Sequence, residues 1–469
     1  MKLRKLTINN FRCFEEFEIE FASHITVLIG KNGAGKSSLI HAIHNALSFI
    51  FTRDSSMDTE LIVEGNPSLK VANIATNEIY YNNTTRSYAD YMSIKAQAIL
   101  ANNENIEWEL YKRSVSNSLF PSKYKDAYVR FIEQYKQNDV LPVFAYYSDS
   151  YPHINTRIGS FAKGILSSFK AIPRNFGYYQ WGEEASCTAI WQIRFLDCWV
   201  NSIPLLAMRN KLEAESAKGN AVDESNYKSI DLFLEPLQRE MSFINNRLIE
   251  FSKEDESEGS AGFEVEGLQG DYRGQEPVLV IKRKNGDLIP FENLPAGYKR
   301  LFSIVFDTAY RAYILNGEVE PTGIVVIDEI DLHLHPTLEQ SVLQRLNRTF
   351  PQIQFIVSSH SALVITNLNA NNGRSGSIVL RMNENKAFPV ELPNMFGVDY
   401  NTTISDVMQT PARNGELKEL IDDYIVLKVQ GYEEEAKAVF EEIQALMGNN
   451  EADIARIEKE IEKEIESNS

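Results

Sequence analysis

Residues 26–43 read TVLIGKNGAGKSSLIHAI. The run from Ile25 to Ile29 is nearly all apolar and of strand length, as expected for a buried central strand. Gly30 through Ser37 fits G-x-x-x-x-G-K-[ST] at every required position. Beyond it, Leu39, Ile40, Ile43, Leu47 and Ile50 fall on one helical face. Strand, glycine loop and helix thus occur in the order that phosphate binding needs. Gly30, Gly33 and Gly35 let backbone amides turn inward around phosphates. The helix N-terminus adds free N–H donors and a favourable dipole. Lys36 is placed to reach the β and γ phosphates, and Ser37 to ligate Mg²⁺. The candidate nucleotide-binding residues of the loop are Gly30, Asn32, Gly33, Gly35, Lys36, Ser37 and Ser38.

Upstream, LTINNFRCFEEFEIEF alternates apolar and polar residues, which predicts two strands joined around Arg12–Glu16. Downstream, GIVVIDEIDLHLHP begins at Gly323. Its strand Ile324–Ile327 ends in Asp328 and Glu329. A carboxylate at the end of a buried strand beside the phosphate loop can hold Mg²⁺ through water, a role assigned to Asp328. Glu329 points elsewhere, because side chains alternate along a strand, and can polarise the attacking water. Gln354–Val357 reads as a further buried strand, with Ser358, Ser359 and His360 at its end. Open α/β sheets bind ligands at that edge, and a His there can contact a γ-phosphate. The candidate catalytic residues are therefore Lys36, Glu329 and His360, and the candidate metal ligands are Ser37 and Asp328.

Asn285-Gly286 between two strand-like runs predicts a hairpin with a primed turn. The helix after Pro295 carries Leu301, Ile304, Val305, Ala309 and Ala312 on one face. Ala296 and Gly297 leave room there for a close approach by another molecule's phosphate.

Bulk properties narrow the class. The 469 residues suit one large domain with insertions or two modest ones. No apolar run reaches the roughly 18 residues that span a bilayer. MKLRKLTINNFRCF has no apolar signal core, so we expect a cytoplasmic protein without membrane contact. Cys13, Cys187 and Cys198 form no C-x-x-C pair and are read as reduced thiols. The net charge of −18 disfavours nucleic-acid binding over the whole surface. It is uneven, however. Residues 415–469 hold 16 acidic and 6 basic side chains, a net of −10, and leave −8 for the other 414.

Taken together, these motifs resemble the ABC-type ATPases of the SMC and RecF class, over roughly residues 1–50 and 275–370. NFRCFEEFEIEF is similar to that family's opening strands, and IDEIDLHLHP to its Walker B and D-loop region, with Asp331, His335 and Pro336 in the usual places. SSHS matches the switch-histidine segment. NLPAGYKR stands where the signature motif does, with Pro295 in place of a serine and Gly297 retained. The resemblance implies an α/β P-loop NTPase, an ABC/SMC-like ATPase head with an inserted helical region and a C-terminal helical tail. It implies ATP and Mg²⁺, and a site completed across a homodimer or higher oligomer. It adds Arg12, Pro295 and Gly297 to the nucleotide-contacting set. The domain expectation is an ATPase core at 1–50 and 275–400, an insertion of strands and then mainly helices at 51–274, and an acidic helical region at 401–469.

The insertion is too short for the coiled-coil arms of SMC proteins. Residues 150–255 read as several ordinary helices, with Trp191, Phe195 and Trp199 at core spacing, and 252–262 as a polar surface loop. No Toprim or His-Asn-His centre is found, and the adjacent aspartates of IDDYI read as a solvated helix face. A compact ATPase with this tail resembles the PtuA subunit of Septu anti-phage systems. That likeness implies a separate HNH nuclease partner and contact with nucleic acid through the complex. A similar layout in PARIS systems, where the ATPase restrains a Toprim nuclease, and a RecF-like ATPase acting directly on DNA are the alternatives. A transport motor is disfavoured, since no aromatic adenine platform precedes the first strand. Ile454, Ile457, Ile461 and Ile465 make a narrow apolar stripe that needs a surface, either of its own domain or of a partner.

Overall fold

The computed structural model describes residues 1–53, 69–138, 140–151, 160–166, 172–181, 188–219, 223–254, 263–370, 376–383, 387–410 and 414–448, together with 454–461 apart from 456 and 460. The chain opens with β1 (Lys2–Phe11), β2 (Phe14–Glu20) and β3 (Ile25–Ile29), followed by α1 (Lys36–Leu47). A short ribbon, β4 (Tyr81–Asn82) and β5 (Ser87–Tyr88), precedes the hairpin β6 (Tyr91–Ile99) and β7 (Asn105–Arg113). Then come α2 (Lys125–Asn138), β8 (Val143–Tyr147), α3 (Ser160–Leu166) and two long helices, α4 (Thr188–Ala217) and α5 (Glu224–Ser252). The meander β9 (Val265–Arg273), β10 (Glu276–Arg283) and β11 (Leu288–Pro290) leads into α6 (Ala296–Asn316) and β12 (Gly323–Ile327). After these lie α7 (Pro336–Thr349), β13 (Ile353–Ser358), α8 (Ala362–Thr366), β14 (Ser377–Arg381) and β15 (Val390–Glu391). The last elements are α9 (Tyr400–Thr402), α10 (Gly415–Gln430) and α11 (Glu433–Met447).

The central sheet has the order β15-β14-β3-β13-β12-β8, and every pairing from β14 to β8 is parallel. Every residue of β3, β12 and β13 is buried, as continuous apolar strands covered on both faces must be. The strand ending in Asp328 does not directly neighbour the phosphate-loop strand, because β13 lies between them. A second, antiparallel sheet runs β2-β1-β6-β7, and a third β11-β10-β9.

Three expectations need correction. Residues 51–274 are not merely an insertion. β6 and β7 extend the sheet of β1, and β8 pairs with β12, so this segment completes both sheets of the core. Pairing partners far apart in sequence leave no local signal of this. The Asn285-Gly286 hairpin exists, but its turn is not primed. Gly286 donates to the Arg283 carbonyl at 2.9 Å, and only Gly286 has positive φ (89°). That is a type I turn followed by a left-handed glycine. Finally, α6 is buried all round rather than on one face: every residue from Arg300 to Ala312 is buried, among α4, α5 and β8.

Helices α4 and α5 have 30 and 29 residues and pack on one another. At their root Arg194 makes a fork with Glu240, at 2.8 Å from each nitrogen, and Trp191 and Phe195 are core residues. Trp199 is half-buried and lies over Gly270, where a Cβ would approach its ring to 2.1 Å. The polar loop expected at 252–262 falls mostly outside the described residues, as do Cys187 and Ile465. Cys13 and Cys198 are free thiols. Among the described residues no helix is long and apolar enough to cross a membrane.

The chain divides into two compact units, residues 1–397 and 398–469. In the second, Ile421, Ile425, Ile443, Ile457 and Ile461 form a core of their own. Ile457 and Ile461 of the tail stripe therefore find their surface within the same unit, against the isoleucines of α10 and α11. Asp422 and Asp423 of IDDYI are exposed, as a solvated face requires.

Candidate functional site

The phosphate loop leaves β3 through three glycines of positive φ: Gly30 (148°), Gly33 (87°) and Gly35 (92°). An L-residue is strained at each of these angles. Space is short as well. A Cβ on Gly30 would lie 2.5 Å from the Met382 carbonyl oxygen, and one on Gly35 would lie 2.8 Å from the Phe14 ring. The β1–β2 turn, tighter than expected, thus packs directly against the loop. Lys36 starts α1, and its Nζ donates to the carbonyls of Gly30 (2.8 Å) and Lys31 (3.1 Å). Burial lowers the Lys36 pKa, while the nearby carboxylates of Asp328, Glu329 and Asp331 oppose that shift. Lys31, Asn32, Gly33 and Ser37 are exposed along the loop.

The carboxylate turn follows β12. Asp328 is buried; its N–H donates to the Tyr147 carbonyl at 2.8 Å, and its Oδ1 accepts from the Ser358 hydroxyl. Glu329 departs from strand alternation altogether. It lies beyond the end of β12 with φ 51°, a left-handed conformation that costs a non-glycine residue on the order of 1–3 kcal/mol. Two side chains hold it there. Its N–H donates to Ser358 Oγ at 2.8 Å, and its carbonyl accepts from Arg300 Nη2 at 3.1 Å. The half-exposed His360 follows β13, and its N–H is 3.2 and 3.3 Å from the two oxygens of Asp331. The ends of β3, β12 and β13, three neighbours in one parallel sheet, therefore bring Lys36, Asp328, Glu329 and His360 to a single edge.

The remaining candidates are placed differently. Arg12, at φ 51°, turns to Glu78 rather than to the loop, with Nη2 at 2.9 Å and Nε at 3.3 Å from Oε1. Burial pushes the Glu78 carboxyl up. Hydrogen bonds from His41, the Ala75 amide and Arg12 outweigh that and hold its pKa at about 2. Pro295 and Ala296 are exposed at the start of α6. Gly297 is buried by its own chain: a Cβ there would lie 2.6 Å from the His333 carbonyl oxygen. The room beside it belongs to the D-loop of the same molecule.

Sequence reasoning missed Arg300 and gave Ser358 no role. Ser358 Oγ bridges Asp328 and Glu329. Arg300 grips the backbone of both residues and, with its other terminal nitrogen, that of Asp149 and Tyr151. The available signal was a spacing. Arg300, Asp307 and Arg311 stand 7 and 4 residues apart, on one stripe of a mostly apolar helix. Asp307 accepts from Tyr147 Oη (2.8 Å), Trp191 Nε1 (2.5 Å) and Arg311 Nε (2.7 Å), all fully buried. Beside the loop lies a cavity of about 710 Å³, lined by Asn9, Asn10, Cys13, Phe14, Gly33 and Ala34 among others.

Comparison with known proteins gives the following similarities. Residues 2–375 match the model of the RecF/RecN/SMC N terminal domain. The Retron Vc95 probable ATPase of Vibrio cholerae serotype O1 biovar El Tor is 24% identical over 396 residues, 78% of this chain and 71% of that protein. The Retron Ec83 probable ATPase of Escherichia coli is 26% identical over 398 residues, 79% of this chain and 71% of that protein. The Septu protein PtuA of Bacillus mycoides (strain KBAB4) is 31% identical over 146 residues, 29% of this chain and 19% of that protein. Among solved structures, the SMC head domain from Thermotoga maritima is similar at 12% identity, over 84% of this chain and 99% of that one, with a TM-score of 0.42.

Proposed function

Because this chain belongs to the RecF/RecN/SMC N-terminal domain family through residues 2–375, we propose that it binds and hydrolyses ATP as the regulatory subunit of an anti-phage defence complex. The observation that carries the reading is the single sheet edge where Lys36, Asp328, Glu329 and His360 meet, beside a loop of three left-handed glycines. Relatives named as probable ATPases of retrons, and a shorter stretch of likeness to a Septu PtuA, support the biological setting.

The donors suit a magnesium nucleotide. Asp328 is a buried carboxylate at a strand end, and the exposed Ser37 hydroxyl lies one residue into α1. These two would hold Mg²⁺, whose bound charge offsets that on the β and γ phosphates. Lys36 exchanges the carbonyls of Gly30 and Lys31 for phosphate oxygens. The cavity beside Cys13 and Phe14 would receive the base and ribose. Glu329 accepts a proton from the attacking water as its oxygen bonds the γ-phosphorus. The bond from that phosphorus to the β–γ bridging oxygen breaks, and ADP and phosphate leave. His360, held at its backbone by Asp331, contacts the γ-phosphate. The exposed start of α6 meets the nucleotide of a second copy, so that ATP joins two subunits only while its γ-phosphate remains. This two-state assembly controls a separate HNH nuclease, through which the complex contacts nucleic acid.

Glu329→Gln tests the catalytic core of this reading. Nucleotide affinity should persist while turnover falls about 10²–10⁴-fold, and ATP should shift the variant to a larger mass in light scattering. Wild-type turnover in this variant would remove Glu329 from the mechanism. Co-purification with the neighbouring gene product tests the regulatory half: a product without a nuclease motif, or one that does not bind, counts against it.

A further inference from the structure

Arg300 ties the start of α6 to the segments that follow β8 and β12, two paired strands of the central sheet. It is the fifth residue of α6, three past Gly297, and is 2% exposed. Nη2 donates to the carbonyls of Asp328 (2.8 Å) and Glu329 (3.1 Å), the two residues of the carboxylate turn. Nη1 donates to the carbonyls of Asp149 (2.6 Å) and Tyr151 (3.2 Å), where the chain leaves β8. One planar fork therefore uses four of its five N–H groups on main-chain oxygens.

The consequence falls on Glu329. Its left-handed backbone is unfavourable by itself, so the orientation of its side chain depends on what clamps the peptides on either side. Ser358 clamps the N–H and Arg300 the carbonyl. Ser358 is the last residue of the fully buried β13, whereas Arg300 belongs to α6, whose start is exposed at Pro295 and Ala296. A shift of α6 along its axis or about it must carry the guanidinium with it, and the guanidinium carries the carbonyls. The stripe continues inward, since Asp307 on the same helix binds Tyr147 of β8 and Trp191 of α4.

We propose that Arg300 is a positioning residue that makes the aim of Glu329 depend on the seat of α6 in the same subunit. Contact at the exposed start of that helix is thereby read at the hydrolytic carboxylate. The proposal rests on the reading of Glu329 as the base that activates water.

Arg300→Lys keeps the charge, but one tetrahedral ammonium cannot span both pairs of carbonyls. Arg300→Gln keeps a planar donor for one pair only. For both variants kcat should fall on the order of 10–100-fold, as expected for a reacting group displaced by about an ångström, while KM and nucleotide affinity stay within about twofold. Added to Glu329→Gln, Arg300→Lys should lower the residual turnover no further, because its effect runs through the same carboxylate. A full additional drop in that background overturns the proposal, as does wild-type kcat in Arg300→Lys or a loss confined to KM. If both variants melt before nucleotide binding can be measured, Arg300 is a stability residue and the proposal also fails. The two readings fail separately: active Glu329→Gln removes the base, whereas active Arg300→Lys beside inactive Glu329→Gln removes only the positioning role.

Discussion

Gly35 and Gly297 stand at the starts of two helices, α1 and α6, and both were expected to face phosphate. Gly35 has φ 92° and caps its helix. Gly297 is an ordinary helical residue whose missing side chain leaves room for the His333 carbonyl of its own chain. The first glycine answers a demand of the local backbone, the second a demand of a neighbour 36 residues away in sequence. Local demands follow from spacing and residue type. Demands set by packing become visible only when the neighbour is in place. At the phosphate loop, the three glycines take the positive φ that the motif requires, at the positions the motif gives them. At α6, the expected nucleotide contact and the observed intrachain packing compete for the same glycine.

The largest expected effect lies on the loop side of this contrast. Lys36→Ala removes the ammonium from a site whose other nearby charges are the carboxylates of Asp328, Glu329 and Asp331. Losing one charge-assisted hydrogen bond to phosphate should weaken nucleotide binding roughly 10–100-fold by calorimetry and bring turnover to background. Undiminished affinity would mean that phosphate is held elsewhere, and the contrast would lose its legible half.

Gly297→Ala probes the other half. The new Cβ would lie 2.6 Å from the His333 oxygen, so either α6 or the D-loop must move. Overpacking of this kind costs about 1–3 kcal/mol, a loss of a few degrees in the melting temperature. Since the clash lies within one chain, the loss should be the same with and without ATP. A variant that melts normally alone and loses stability only with ATP would return Gly297 to the nucleotide of a second copy, as its sequence position suggested.

The same division governs what could be read in advance. β3, β12 and β13 were legible because continuous apolar runs ending in charged or small polar residues have few alternatives. Their site residues followed from position at the strand ends. The place of Glu329 was anticipated, but not its cause: a left-handed turn pinned by Ser358 and Arg300 replaces simple alternation. β6, β7 and β8 were absorbed into an insertion because their partners, β1 and β12, lie far off in sequence. Arg12 was grouped with the nucleotide contacts because nothing local announces Glu78, 66 residues later. The tail was half legible. Its isoleucine spacing demanded a surface, and the isoleucines of α10 and α11 that supply it could not be paired with it by spacing alone.

Pro295→Ser should give the smallest effect and separates two meanings of one position. Pro295 is the residue before α6, exposed, with φ −53° and ψ 143°, and it makes no side-chain cap. Serine tolerates those angles and can cap a free amide of the first turn, worth about 0.5–2 kcal/mol. Replacing proline also loosens the unfolded chain, which subtracts about 0.4–1 kcal/mol. The isolated subunit should therefore melt within a few degrees of the wild type. Any effect beyond that must come from what the new hydroxyl touches in an assembly. In a Glu329→Gln background, where ATP persists, the hydroxyl would face the γ-phosphate held by a second copy, and the ATP-dependent dimer should dissociate several-fold more slowly. One added hydrogen bond to a charged group is worth about 1.5–3 kcal/mol, enough for that change after some geometric loss. Equal dissociation rates, measured by dilution into ATP-free buffer, would mean that the start of α6 does not face a second nucleotide. Gly297 and its exposed neighbours would then serve the fold of one chain, and the distinction between the two helix starts would be complete.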